Sequence, residues 1–347
     1  MNLLLLLAHS IEEHDQLKLL SGLGYDVFSI GGYINPGAPH DPKRPPLPEV
    51  PYHPELQAVV DGLGTGDNLR HAKERIPDDL IDWADAIIVH HFEHAWIVPQ
   101  WDRIKHKRVI WRTVGQSVEG NERMMAPLRS EGLQIVRYSP REASIPGYAG
   151  QDALIRFYKD PNEWQGWTGD DPVVLNISQH DQNPHARDLW LNWSFWEAAT
   201  RKLPAVFAGP HTELIGGLGT LTLEDMKARL RSARAYLYTG TQPASYTLGL
   251  IEAMMTGVPV VSIGPEHMTI FPYGPSMFEG HEIVSAIDDK GWHWQPWSDD
   301  PADVEGKLAA LISSRSYAAE QSAVQRARAI DLFGIETIGR QWQAFLG

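Results

Sequence analysis

The stretch Tyr236–Gly264, YLYTGTQPASYTLGLIEAMMTGVPVVSIG, admits few folds. Ala235–Tyr238 reads as a strand, followed by a polar loop, a helix over about Tyr246–Thr256, and a second apolar strand, Pro259–Ile263. Gly257 stands where a helix C-cap glycine belongs, and Pro259 forbids continuation. Two strands joined by one helix make a right-handed βαβ unit, which requires a parallel sheet. Ser245 and Thr247 are small hydroxyl residues at the mouth of that helix. The unpaired N–H groups and positive dipole end there suit an anion. Glu252 lies deeper in the helix, among Leu250, Ile251, Ala253 and Met254. A carboxylate in such company is costly without partners, and a pair of sugar hydroxyls would serve. The plainer alternative is a buried crossover whose one glutamate is satisfied internally.

The run GLIEAMMTGVPVVSIG resembles the donor-site signature of the group 1 (retaining, GT-B fold) nucleotide-sugar glycosyltransferases. Their motif is Glu-x7-Glu, with an aromatic-Gly pair between the glutamates, then Ala-Met-x-x-Gly-x-Pro-Val-Val. The second half matches from Glu252 to Val261. In the first half Ala244 stands where the family has its first glutamate, Tyr246 takes the aromatic place, and Thr247 replaces the glycine. The resemblance implies that Glu252 binds the ribose hydroxyls and that Thr247 and Leu248 offer backbone N–H groups to the donor. The implied fold is α/β: GT-B, two Rossmann-like parallel-sheet domains facing across a cleft. The expected division is an acceptor-side domain over 1–150, a nucleotide-sugar-binding domain over 151–330, and a helix over 331–347 that returns to the first domain.

The 347 residues suffice for two domains, and 43% apolar content suffices for their cores. No apolar run is long enough to span a membrane. MNLLLLLAHS lacks a basic start and reads as a buried first strand rather than a signal peptide, so the expected location is cytoplasmic. With no cysteine, disulfides, thiolate catalysis and Cys-ligated zinc are excluded. A net charge of −14 argues against nucleic acid as the main partner, since phosphate backbones need a basic surface. The 13 Trp residues suit sugar stacking and core packing alike.

From the N-terminus, Leu3–Ala8 reads as a central parallel strand, followed by a loop from His9 to Glu13, a helix to about Leu20 and the strand Tyr25–Ile30. This opening is Rossmann-like, and Ser10 falls on the acceptor side. Asn35–Tyr52 is proline-dense, and either lines the cleft or wraps the sheet edge. Strands at Ala86–His90, Arg108–Arg112 and Leu133–Tyr138 alternate with helices, which implies a doubly wound sheet.

HHFEHAW follows the strand ending at His90, where open α/β sheets place ligands. A histidine there suits proton exchange. Group 1 enzymes often carry a His in this loop against the donor sugar, which points to His91 with Glu93 and His94 behind it. Strand-cap and surface histidines are the alternative. Arg112 and Gln116, on the next strand-end loop, are placed on the acceptor side.

The second domain opens with the strand Pro172–Ile177. Its loop, SQHDQNPHARD, leads to a helix over Leu189–Thr200. In the family an Arg and a Lys in this loop clamp the diphosphate; here Arg187 is the fixed cation, with Ser178 nearby. Gly209 and His211, after the strand Leu203–Ala208, are placed near the base. A helix over Leu223–Ser232 opens with the capping pattern Thr-x-Glu-Asp. Trp292, Trp294 and Trp297 read as packing. Helices over Pro301–Ser313, Tyr317–Ile330 and Ile335–Phe345 close the chain.

No Asp-x-Asp stands in a strand-end context to hold a metal on a diphosphate. The expectation is therefore a metal-independent, retaining transfer from a nucleotide-diphosphate sugar, a UDP-sugar first, to a carbohydrate or glycoconjugate acceptor, with no other cofactor. The alternatives are a non-catalytic nucleotide-sugar-binding or partner subunit, and a GT-B nucleotide-sugar hydrolase or epimerase.

Overall fold

The computed structural model describes residues 1–7, 9–30, 44, 47, 49–63, 72–90, 93–115, 117–178, 184–242, 244–268, 278–285 and 295–347, with backbone alone at 93, 94, 184–186 and 268. The chain forms two compact units, Met1–Tyr158 with Ile338–Gly347, and Lys159–Thr337.

The first unit is built on a six-stranded sheet, all parallel, in the order β2-β1-β3-β4-β5-β6. Its strands are β1 (Asn2–Leu6), β2 (Asp26–Ile30), β3 (Ala86–His90), β4 (Arg108–Arg112), β5 (Gln134–Arg137) and β6 (Ala153–Leu154). The run of leucines at the N-terminus is interior: Leu3 to Leu6 are fully buried between β2 and β3. Helices α1 (Ser10–Gly22), α2 (Pro54–Asp61), α3 (Asp78–Trp83), α4 (Glu93–Trp96), α5 (Trp101–Ile104) and α6 (Glu119–Ser130) fill the connections. Between β3 and β4 the helical stretch is divided into α4, a 3-10 turn at Val98–Gln100 and α5, because Pro99 lacks the N–H that a continuous helix needs.

The boundary follows Tyr158 rather than Gly150, because Ile155 and Tyr158 pack into the first core. The last helix of the chain (Ile335–Leu346) also contributes Ile338, Trp342 and Leu346 to that core. Arg108 donates to the carbonyls of Leu346 at 2.8 Å and Phe345 at 2.5 Å, satisfying acceptors that a helix end leaves orphaned. Most of 35–52 lies outside the described residues, but Leu47 and Val50 are buried in the first core.

Beside β4 and β5 lies a buried polar knot. Glu142 accepts from the Thr113 hydroxyl at 2.9 Å and the Tyr138 N–H at 3.1 Å, with Arg137 3.7 Å away. Burial pushes its carboxyl up to about 7, against the pull of Arg137 and these hydrogen bonds. A raised acid binds its proton more tightly when folded. Its stabilisation is complete below the ordinary carboxylate range near 4.5 and is lost as pH rises through about 7. Relative to Glu142→Gln, the parent is expected to lose roughly 3 kcal/mol between those limits and nothing further above them. Urea unfolding of both proteins at stepped pH reads this difference.

The second unit carries a five-stranded parallel sheet in the order β11-β10-β9-β7-β8. Its strands are β7 (Asp171–Ile177), β8 (Ala205–Ala208), β9 (Ala233–Tyr238), β10 (Val260–Ile263) and β11 (Trp297–Ser298). Helices α7 (Pro184–Leu191), α8 (Trp193–Thr200), α9 (Leu223–Ser232), α10 (Leu248–Thr256), α11 (Gly280–Val284), α12 (Pro301–Ser313) and α13 (Arg315–Phe333) precede the closing helix, α14. Thr222 caps α9 by accepting from Asp225 N–H at 3.1 Å, as its sequence pattern predicts. Trp297 pairs with Ser262 as β11; Trp292 and Trp294 lie outside the described residues.

Candidate functional site

The order of the second sheet reverses between β7 and β9, since β8 lies outside β7 while β10 and β11 extend beyond β9. Ligands of open α/β sheets bind beyond the carboxyl ends of the strands at such a point. Ser178 leaves β7 there, Gly209 leaves β8, Thr239 leaves β9, and α10 begins there.

Helix α10 starts two residues later than its apolar run suggests. Thr247 has extended backbone angles, and its Oγ1 accepts from Leu250 N–H at 3.3 Å, making it the N-cap. The buried Tyr238 phenol lies beside Thr247. Burial holds that phenol far above its ordinary range, so it remains a neutral hydrogen-bonding group. Thr247, Leu248 and Gly249 are half-buried, and the N–H groups of this first turn have no intrahelical acceptor. At the other end Gly257 adopts φ 102°, and α13 closes over it.

Ser245 and Tyr246, expected beside Thr247, are both interior. The Ser245 carbonyl accepts from Glu279 and Gly280 N–H at 3.0 Å each, and the Tyr246 ring lies 5.7 Å from Phe333. Thr247 is thus the hydroxyl at the half-exposed edge. Ala244 is also buried.

Glu252 is 5% exposed, and its Oε1 lies 2.6 Å from Nζ of Lys159, which is fully buried. Sequence reasoning missed Lys159. Its one signal was a lysine in the apolar setting Phe157-Tyr158-Lys159, without indication of a partner.

Arg187 lies on α7, buried, with its guanidinium 5.6 Å above the Trp193 ring. The single helix expected over Leu189–Thr200 is two, α7 and α8. Asn192 takes the left-handed conformation between them (φ 52°) and donates to the Thr239 carbonyl at 3.0 Å. The break therefore ties this helical pair to the end of β9. His211 is exposed and left-handed (φ 68°), opening a 3-10 turn after Gly209.

In the first unit β3 and β4 run side by side, with His90 paired to Arg112, so the two strands end at the same level. His91 and Gln116 lie outside the described residues, and of Glu93 and His94 only the backbone, in α4, is described. Arg112 is fully buried and donates to the carbonyls of Ile155 at 2.5 Å and Arg156 at 3.2 Å, between the rings of Phe157 and Trp342. These bonds tie β4 to the chain beyond β6. Ser10 begins α1 behind the cap His9, whose Nδ1 accepts from Glu12 N–H at 3.4 Å. Sequence alone would expose the next residues of α1, yet Glu12, Glu13, His14, Asp15 and Gln16 are all buried.

No protein-family model matches the sequence, and no curated protein matches it. Solved structures do. Sucrose-phosphate synthase from Thermosynechococcus elongatus superposes with a TM-score of 0.65 at 14% identity, covering 100% of this chain and 98% of that one. HepE from Anabaena, in complex with UDP-glucose, gives 0.63 at 13% identity, covering 100% and 99%. A glycosyltransferase from Rickettsia africae gives 0.65 at 12% identity, covering 99% and 97%. The chain therefore has the GT-B glycosyltransferase fold over its whole length.

Proposed function

We propose that this chain is a glycosyltransferase that moves a sugar from a nucleoside-diphosphate donor to a carbohydrate or glycoconjugate acceptor, with retention and without a metal ion. One observation carries the proposal. At the switch point of a parallel sheet, in a GT-B fold, a Thr-capped helix N-terminus stands ahead of a buried carboxylate on the same helix. The helix end suits a diphosphate, with N–H groups of Thr247 and Leu248 as donors and Arg187 as the fixed cation. Glu252 suits the ribose diol. Ser178, Gly209 and His211 border the same strand ends on the base side. The HepE structures hold UDP and UDP-glucose, which makes a UDP-sugar the first donor to try.

In the first domain the acceptor is assigned to Ser10 and Gln116, with Arg112 holding the interior behind them, and the groups nearest the transferred sugar to His91, Glu93 and His94. The acceptor oxygen bonds the anomeric carbon as the bond from that carbon to the diphosphate oxygen breaks. The electron pair leaves on the diphosphate, and the acceptor proton passes to a leaving phosphate oxygen. Fixed N–H dipoles aimed at that developing charge lower the barrier, each worth about 10²–10³ in rate when removed from comparable sites.

Thermal unfolding with UDP-, GDP-, ADP- and TDP-sugars, without metal, tests the reading. A donor at about 100 times its Kd adds roughly 2.7 kcal/mol to stability. One nucleotide family is expected to raise Tm, with slow donor hydrolysis, and Glu252→Ala to abolish the shift. A Glu252→Ala protein that binds as tightly as the parent would remove Glu252 from the site. Ala244, in place of the family's first glutamate, favours one second reading, a nucleotide-sugar binder without transfer. Binding with no turnover on any acceptor would establish it.

A further inference from the structure

The ion pair between Lys159 and Glu252 joins residues 93 positions apart and sits almost wholly out of water. Such a pair is poor evidence for stability, because desolvating both ions offsets their attraction, and apolar residues of similar volume commonly hold a core as well. The lysine is also restrained. Its backbone N–H donates to the Phe333 carbonyl at 3.0 Å, and its ammonium lies 5.7 Å from the centre of the Trp164 ring. Trp164 is itself buried and faces a second ammonium, Lys227, at 5.3 Å. Glu252 is restrained through its helix: the Thr256 hydroxyl donates to its backbone carbonyl at 2.7 Å. The charge of Glu252 also reaches the Tyr236 phenol on β9, adding to the burial that holds that group above its ordinary range. A carboxylate offers about four acceptor positions, and a lysine meets it as a compact charge with three rotatable donors rather than with the planar fork of an arginine.

We infer that Lys159 is a positioning residue for ribose recognition: it supplies the counter-charge of Glu252 and holds its Oε1, so that the carboxylate can accept from a vicinal diol. This rests on Glu252 being the ribose ligand. Pre-setting the carboxylate means that a nucleotide need not order it on binding, and that advantage is lost when the sugar lacks a 2′-hydroxyl. Lys159 therefore acts on discrimination between ribose and deoxyribose and leaves the phosphate end alone.

Calorimetric titration of UDP, 2′-deoxy-UDP and inorganic pyrophosphate into the full chain and into Lys159→Met tests this. The parent is expected to prefer UDP over 2′-deoxy-UDP at least tenfold, in keeping with a hydrogen bond to a charged group. In Lys159→Met the ratio is expected to fall below about twofold, with pyrophosphate affinity held within about twofold of the parent. If Lys159→Met loses its folded far-UV spectrum, Lys159→Gln, which keeps an N–H donor without the charge, takes the same comparison with a reduced ratio expected. A folded variant that discriminates as well as the parent overturns the role of Lys159 and leaves the ribose reading intact. A parent that binds both nucleotides alike, or neither, overturns the ribose reading and this inference with it.

Discussion

Glu122→Ala is expected to destabilise the N-terminal domain by about 3–5 kcal/mol, the range for removing one partner of a buried ion pair. Glu122 and Arg137 are both fully buried and meet through two parallel bonds of 2.7 Å. The carboxylate also accepts from Ala149 N–H at 2.7 Å and from the Ser117 hydroxyl. Arg137 lies over the Trp111 ring at 5.0 Å and donates to the Gly150 carbonyl at 2.9 Å. Alanine at 122 leaves a guanidinium inside the domain with its bidentate partner gone and only the Glu142 carboxyl 3.7 Å away, and it strands the donors of Ala149 and Ser117. The cost is in desolvation, so a double replacement, Glu122→Leu with Arg137→Met, should recover much of the loss. Guanidinium unfolding of the single and double variants measures both. A single variant within about 1 kcal/mol of the parent would mean that the pair is solvated in solution.

Gly209→Ala is expected to cost about 3 kcal/mol or more, combining backbone strain with a steric overlap. Gly209 has φ 134°, and a Cβ there would stand 1.8 Å from the Ser178 carbonyl oxygen, a backbone atom that cannot swing away. The surrounding backbone is committed as well. Gly209 N–H donates to the Gly219 carbonyl at 2.8 Å, and its own carbonyl accepts from the Thr212 hydroxyl at 2.9 Å. Gly216 supplies the control: φ is 89°, but a Cβ there meets nothing within 4 Å, so alanine should cost only the roughly 1 kcal/mol of a left-handed residue. Because Ser178 follows β7 at the switch point, Gly209→Ala is also expected to shrink the nucleotide-induced rise in Tm, which Gly216→Ala should leave unchanged. Equal melting of the two variants would contradict the close approach.

The strands were legible because buried parallel strands are short runs with an apolar centre between turn residues. Ala86–His90 and Arg108–Arg112 match to the residue, and Leu223–Ser232 and Pro301–Ser313 match as helices. Element ends were less legible where one side chain decides them. Thr247 spends its hydroxyl on Leu250 N–H, which moves the start of α10, and Asn192 breaks a helix to reach Thr239. Neither choice alters the apolar period. Side-chain direction was less legible still. Ser245, Thr247 and Ala244 read alike as small residues in one loop, and packing alone buries Ser245 and Ala244 while leaving Thr247 at the edge.

The sequence by itself determined two parallel α/β sheets, the crossover that carries α10, and Glu252 as a carboxylate placed where apolar neighbours make it expensive. Those follow from periodicity, caps and composition, which act within a few residues. Only the tertiary structure decided that Lys159 answers Glu252, that Arg112 and Arg137 serve the interior, and that Gly209 must lack a side chain. Each of these depends on segments far apart in the chain being brought within hydrogen-bond or van der Waals reach, and local propensity carries no record of that distance.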